Sequence, residues 1–283
     1  MGRFEPDNPA HRKGCHGAAR DGSLDARIHM SLRRSEQAIC GFAAVSALYA
    51  KRPEAIRRLF FDAARSRMCG EISRWLAANK KVYRQVAPEE LEKVSGTVHH
   101  GGIVAIATAP EWVAPTQEEA EAWSLERKPI VLLDRIGNAH NLGAIARTAA
   151  FFGVKHLVIP EHPQQALPGE AAYRIAEGGL EHVKVWCVRD FVPFCRFISR
   201  TFALVGSTLD GEPLTSLTRE GLNGKLLAAR PTALVLGNEE EGIAPEVASI
   251  CVRKVRIGGE GEVQSLNVSA AAAILIAAAV SKD

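Results

Sequence analysis

Short apolar runs alternate along the chain with longer segments of helical spacing. From Ser35, the residues Ile39, Phe42, Ala43, Val45, Ala47 and Leu48 fall on one broad face, which predicts a helix ending near Arg52-Pro53. Ala55 to Phe61 reads as a strand, Ser66 to Asn79 as a helix with Ile72, Trp75 and Leu76 inward, and Val82 to Val86 as a short strand. Pro88-Glu89-Glu90-Leu91 opens another helix, with proline and acidic residues in the first turn, where a helix N-terminus favours them. His99 to Gly102 is a turn and Ile103 to Ala107 a strand. Helices and strands in this alternation predict a small α/β sandwich.

Ala109 to Pro129 holds Pro110, Pro115 and a run of glutamates, and reads as a linker that is partly helical around Glu118 to Trp123. Ile130 to Asp134 is a continuous apolar run, the pattern of a strand buried on both faces of a parallel sheet. A loop at Gly137 to Asn141 leads into a helix from Leu142 to Phe152, with Gly153 just past its end. Further strands are expected at His156–Ile159, Val183–Val188, Phe202–Ser207 and Thr232–Leu236. The second half is therefore a parallel α/β domain. The last segment, Val268 to Val280, is almost all alanine and aliphatic, with Asn267 or Ser269 able to cap it. It shows no polar face before Ser281 and Lys282, which predicts a helix buried all round. The expected division is a flexible arm at 1–27, a small α/β domain at 28–109, a linker at 110–129 and a larger domain at 130–283.

Composition narrows the class. An apolar content of 47% argues against wholesale disorder. The apolar run at 268–280 is too short to cross a bilayer, and the N-terminus lacks an apolar signal segment, so a cytoplasmic protein without a membrane partner is expected. The six cysteines are scattered without metal-ligand spacing, so we expect reduced thiols and no metal site. Charge is uneven. Residues 1–110 carry 18 Lys and Arg against 11 Asp and Glu, whereas residues 111–283 carry 17 against 21. A basic first half fits contact with a polyanion, or a solvated basic face. In the arm, Arg3, Arg12, Lys13 and Arg20 could add phosphate contacts.

Three loops should gather at the strand C-terminal ends, where open α/β sheets bind ligands. The first is Asn138 to Gly143, with Arg147 farther along the following helix; the two converge if Asn141 caps that helix. The second is Leu236 to Gly242. The third is Gly258 to Ser269, whose Gly258, Gly259 and Gly261 allow a backbone that wraps closely around a ligand. No nucleophile triad and no glycine-rich nucleotide fingerprint is present.

Taken together, LDRIGNAHNLGAIARTAAFFGV, ALVLGNEEEGI and VRIGGEGEVQSLNVSAAAAIL resemble the three motifs of the SpoU (TrmH) branch of the SPOUT superfamily, RNA ribose 2′-O-methyltransferases that use S-adenosyl-L-methionine. The resemblance covers roughly residues 130–283. Residues 28–109 are similar to the L30e-like RNA-binding domain that often precedes it, anchored by Ser95 to Gly102 with His100 where the family has Gln. The resemblance implies a parallel sheet with a deep trefoil knot, a homodimer, and a tRNA or rRNA substrate. It also implies roles: Arg147 at the reactive ribose, with Asn141, Glu239, Ser265 and Asn267 as its catalytic companions. Gly237, Asn238, Gly242, Ile257, Gly259, Ser265, Leu266 and Asn267 would hold the cofactor. Glu177-Gly178-Gly179 resembles a family turn near the RNA face, or is a plain helix stop. Three departures stand out: Ala139 and Gly258 where proline is usual, and Glu240 where glycine is common. Glu240 and Glu241 add negative charge beside a polyanion site. With Ala139 they motivate a competing reading, a catalytically inactive RNA-binding or ribosome-assembly factor on the same fold.

Overall fold

The computed structural model describes residues 36–214 and 230–280. The arm expected over 1–27, with Arg3, Arg12, Lys13 and Arg20, lies outside the described residues, as do Ser281 and Lys282.

A four-stranded sheet comes first, in the order β1-β4-β2-β3. It is built from β1 (Gln37–Cys40), β2 (Ile56–Phe61), β3 (Val82–Gln85) and β4 (Ile103–Ala107), with helices α1 (Phe42–Lys51), α2 (Gly70–Ala78) and α3 (Pro88–Ser95) between them. β4 runs antiparallel to both β1 and β2, and β3 adds to β2 in parallel as an exposed edge. The helix expected from Ser35 is corrected here. Gln37–Cys40 is a fully buried strand, and the helix starts only after Gly41. Gly41 has φ +89°, and its N–H is shared by the carbonyls of His100 and Ile103. That turn breaks an apolar spacing that reads continuously along the sequence. The helix expected from Ser66 likewise starts at Gly70, because Asp62 to Cys69 forms turns in which the Asp62 carboxylate accepts from the Arg65 N–H at 2.9 Å.

The connecting segment carries α4 (Gln117–Leu125), opened by a reciprocal capping box of Thr116 and Glu119. Its buried Trp123 stacks on His156 with ring centroids 4.4 Å apart, and the Trp186 indole N–H donates to His156 Nδ1 at 3.2 Å. These contacts hold the linker helix against the second sheet.

That sheet has six strands in the order β10-β8-β9-β5-β6-β7, every neighbouring pair parallel. The strands are β5 (Ile130–Asp134), β6 (His156–Pro160), β7 (Lys184–Val188), β8 (Ala203–Pro213), β9 (Thr232–Gly237) and β10 (Arg253–Arg256). Around them lie α5 (Ala139–Phe151), α6 (Glu170–Ala176), α7 (Phe191–Ile198), α8 (Pro245–Ala248) and α9 (Val268–Val280). β10 was not expected: in Arg-Lys-Val-Arg only Val255 is buried, so the segment has no apolar run to read. All-round burial of α9 is also corrected. Ala272, Leu275, Ile276 and Ala279 pack inward against α5 and β9, whereas Ala270 and Ile274 are exposed. Among the described residues, none covers Ala270 and Ile274.

The two sheets meet in one continuous core. β1 and α1 pack on α6 and on the short helical turn Gly179–Glu181. At the joint, Arg52 makes a two-pronged ion pair with Glu181, both contacts at 2.7 Å, and donates to the Thr108 carbonyl at 3.0 Å. Among the described residues no helix is long and apolar enough to cross a membrane.

Candidate active site

β5 and β9 are adjacent, with Asp134 paired in register to Gly237, so the loops that follow them leave the sheet side by side. The second loop turns back at once. Asn238 and Gly242 exchange backbone hydrogen bonds of 3.0 and 2.9 Å, and a Cβ built on Gly237 would stand 2.2 Å from the Gly242 carbonyl carbon. Only glycine fits there. The Asn238 side chain is spent on the loop itself: its oxygen accepts from the N–H groups of Glu240 and Glu241, and its amide donates to the Arg135 carbonyl at 2.9 Å. What Asn238 leaves for a ligand is backbone.

Two residues that no motif reading singled out fasten the first two loops together. Asp134 is buried and accepts from the Ala244 N–H at 2.6 Å and from Arg135 Nε at 3.1 Å. Arg135 sits at φ +62° and reaches both Glu241 and the Gly242 carbonyl. Burial works against its charge, but Asp134 and Glu241 outweigh that and hold the guanidinium above its ordinary pKa. Part of the negative charge at Glu240-Glu241 is thereby balanced within the protein. The sequence signal available was only an Asp-Arg pair at a strand end.

α5 begins at Asn138, whose side chain accepts from the His140 N–H at 2.8 Å. The expectation that Asn141 caps this helix is corrected: Asn141 lies in its first turn, pointing inward and 8% exposed. That orientation frees its amide for the site. Asn141 Nδ2 donates to Glu239 Oε1 at 2.7 Å, and Asn141 Oδ1 accepts from Asn267 Nδ2 at 3.1 Å. Glu239 Oε2 also accepts from the Gly137 N–H at 3.3 Å. One chain of hydrogen bonds, Asn267 to Asn141 to Glu239, therefore joins all three motif loops. Asn267 at the same time caps α9, its oxygen accepting from the N–H and hydroxyl of Ser269.

The third loop lies open. Ile257 packs against the core, but Cβ atoms built on Gly258, Gly259 and Gly261 meet nothing within 4 Å, and Ser265 and Leu266 are exposed. Its peptide groups are thus accessible beside the tight Gly237 turn. Arg147 is exposed on α5 and pairs with Glu177 at 2.9 Å rather than with the Asn141 cluster. His140 lies in the first turn of α5 with its N–H bonded to the Asn138 side chain, the His99 N–H bonds to the Thr97 hydroxyl, and His100 Nδ1 accepts from the Gly102 N–H.

With this geometry in view, the comparisons are direct. Residues 128–277 match the model of the SpoU rRNA methylase family, and residues 38–113 match that of the RNA 2′-O ribose methyltransferase substrate-binding family. An uncharacterized tRNA/rRNA methyltransferase, YfiF, of Escherichia coli O157:H7 is 33% identical over 279 residues, covering 96% of this chain and 76% of its own. The 23S rRNA (guanosine-2′-O-)-methyltransferase RlmB of Bordetella pertussis is 30% identical, over 86% of this chain and 96% of its own. In fold, the AdoMet-bound rRNA methyltransferase of Sinorhizobium meliloti superposes with a TM-score of 0.68 at 19% identity, over 91% of each chain. On the match across more than half its length and this near full-length likeness, the chain belongs to the SpoU rRNA methylase family.

Proposed function

We propose that the protein transfers a methyl group from S-adenosyl-L-methionine to a ribose 2′-hydroxyl of tRNA or rRNA. The observation that carries this is the Asn267–Asn141–Glu239 chain, which ties together three loops remote in sequence at the strand ends. The pocket suits the cofactor: the Gly237 turn has no room for a side chain of its own, and the open peptide groups around Gly258 and Gly259 offer hydrogen bonds for an adenosine. Gly237, Asn238, Gly242, Ile257, Gly259 and Leu266 would hold it through backbone, and Ser265 and Asn267 would face the reaction. When bound, the cofactor supplies an electrophilic methyl group on a sulfonium.

The chain's own part is mostly positioning, because in-line displacement needs the attacking oxygen aligned with that methyl. Asn141 and Glu239 fix the floor of the pocket. Arg147 grips the RNA and stabilises charge as it develops on the ribose oxygen. A guanidinium stays protonated in proteins, so Arg147 is not the base, and the hydroxyl proton leaves to solvent. Of the residues behind the competing inactive reading, Glu241 is paired with Arg135 and does not stand as free negative charge.

The same reading extends to the whole chain. Residues 28–109 form the RNA-binding unit and 130–283 the knotted catalytic unit. Two copies pair through the exposed face of α9, and the protein works in the cytoplasm. The bare Ala270 and Ile274 support the pairing, and sedimentation as a monomer would contradict it. The direct test is methyl incorporation into RNA from labelled cofactor. Arg147→Ala should lose roughly a hundredfold or more in rate, the worth of one charge-stabilising donor, with an unchanged circular-dichroism spectrum. Retained activity would overturn the role given to Arg147.

A further inference from the structure

Arg147 is held by a turn that also touches the small domain. α6 ends at Glu177, which adopts the left-handed conformation, φ 44° and ψ 46°, where glycine or asparagine is at ease and glutamate is strained. Its carboxylate meets the Arg147 guanidinium at 2.9 Å, the two side chains 53% and 55% exposed. The next residue, Gly178, has φ +92° and sits so close to α1 that a built Cβ would be 2.8 Å from Ala47 Cβ and 3.1 Å from the Ala43 carbonyl. Gly179 presses on the helix carrying the arginine, its built Cβ 2.8 Å from Arg147 Cα and 3.0 Å from the Ala146 carbonyl. Three consecutive residues thus touch the arginine side chain, the small domain and the arginine backbone.

A helix stop needs none of this. Glycine at position 177 would end α6 without strain. The strained glutamate is explained if its carboxylate is needed where it is. An arginine on an exposed helix face samples many rotamers, and each must be frozen out before it can serve a reacting oxygen.

We propose that Glu177 is the positioning residue for Arg147, and that the Glu177-Gly178-Gly179 turn relays the seating of the small domain to it. This rests on the reading of Arg147 as the residue at the reacting ribose. RNA binding exchanges the carboxylate for a phosphate on an arginine already in place.

Two variants separate positioning from mere structure. Glu177→Gln keeps the side chain's size and the strained backbone but removes the charge. Glu177→Gly removes the carboxylate and releases the strain. Both should lower kcat about fivefold, the upper worth of an exposed ion pair, with KM for S-adenosyl-L-methionine unchanged, while Glu177→Gly melts at or above the wild-type temperature. Wild-type kcat in Glu177→Gly would overturn the proposal. Arginine side-chain NMR gives a readout independent of turnover: the Arg147 signal, assigned by its loss in Arg147→Ala, should be ordered in wild type and averaged in Glu177→Gln. An Arg147 equally averaged in both sinks the positioning role. Absence of methyl transfer by the wild-type protein would sink the enzymatic reading instead, and leaves the NMR comparison to decide Glu177.

Discussion

At the scale of single residues, Gly237 is the least replaceable position in the pocket. A methyl group there would have to displace backbone of Gly242 and Ile243 rather than a flexible side chain. Gly237→Ala should cost about 2–3 kcal/mol in urea unfolding, by analogy with overpacked cores, and should remove the calorimetric signal of S-adenosyl-L-methionine. Wild-type cofactor affinity in that variant would mean the turn does not shape the site. Motif resemblance singled out Asn141, Glu239 and Asn267, which the fold joins by hydrogen bonds, but the sequence also offered Asn141 as the cap of its helix. Asn138 and Asn141 are equally good caps by composition, and only the inward face of α5 decides between them. Asp134 with Arg135, and Glu177 with Arg147, were not legible as pairs, because their meaning lies in partners brought close by folding.

At the scale of elements, long apolar runs were the most readable. Ile130–Asp134 and Thr232–Gly237 stand where their hydrophobicity puts them, because both faces of those strands are covered. Gln37–Cys40 was hidden by the helix-like spacing that continues past Gly41, and Arg253–Arg256 by its charges. The linker helix α4 depends on a contact invisible to periodicity, the Trp123–His156–Trp186 stack. Among the described residues His156 Nε2 is buried with no hydrogen-bond partner, and desolvation lowers the imidazole pKa despite the attraction of Glu126. The unfolded imidazole therefore takes up a proton more readily than the folded one, so stability present at neutral pH is lost as the pH falls through the ordinary histidine range toward the lowered native value. Melting temperature should drop from roughly pH 7 to pH 5, and drop less in His156→Phe, which keeps a flat ring in the stack. Equal drops would remove His156 as the source.

At the scale of the molecule, the two sheets share a continuous core with a charged pair at their joint. Glu181 is only 4% exposed, so removing its partner strands a carboxylate away from water. Arg52→Met should cost about 3 kcal/mol, the usual penalty for breaking a buried pair, and urea unfolding should then show the small sheet melting first. A single transition at the wild-type midpoint would contradict a joint that depends on Arg52. Arg52 and Glu181 lie 129 positions apart, and no local pattern announces them.

That sealed joint bears on how an RNA would be chosen. A domain on a loose tether searches, and accepts any target that offers its sequence within reach. Here Gly178 is wedged against α1 and Arg52 is bolted to Glu181, so the distance from the small sheet to the Asn141–Glu239 pocket is set before any RNA arrives. On the function proposed above, the protein would work as a caliper: an RNA would qualify when its own fold spans that gap, and a strand with the right nucleotides in the wrong shape would not.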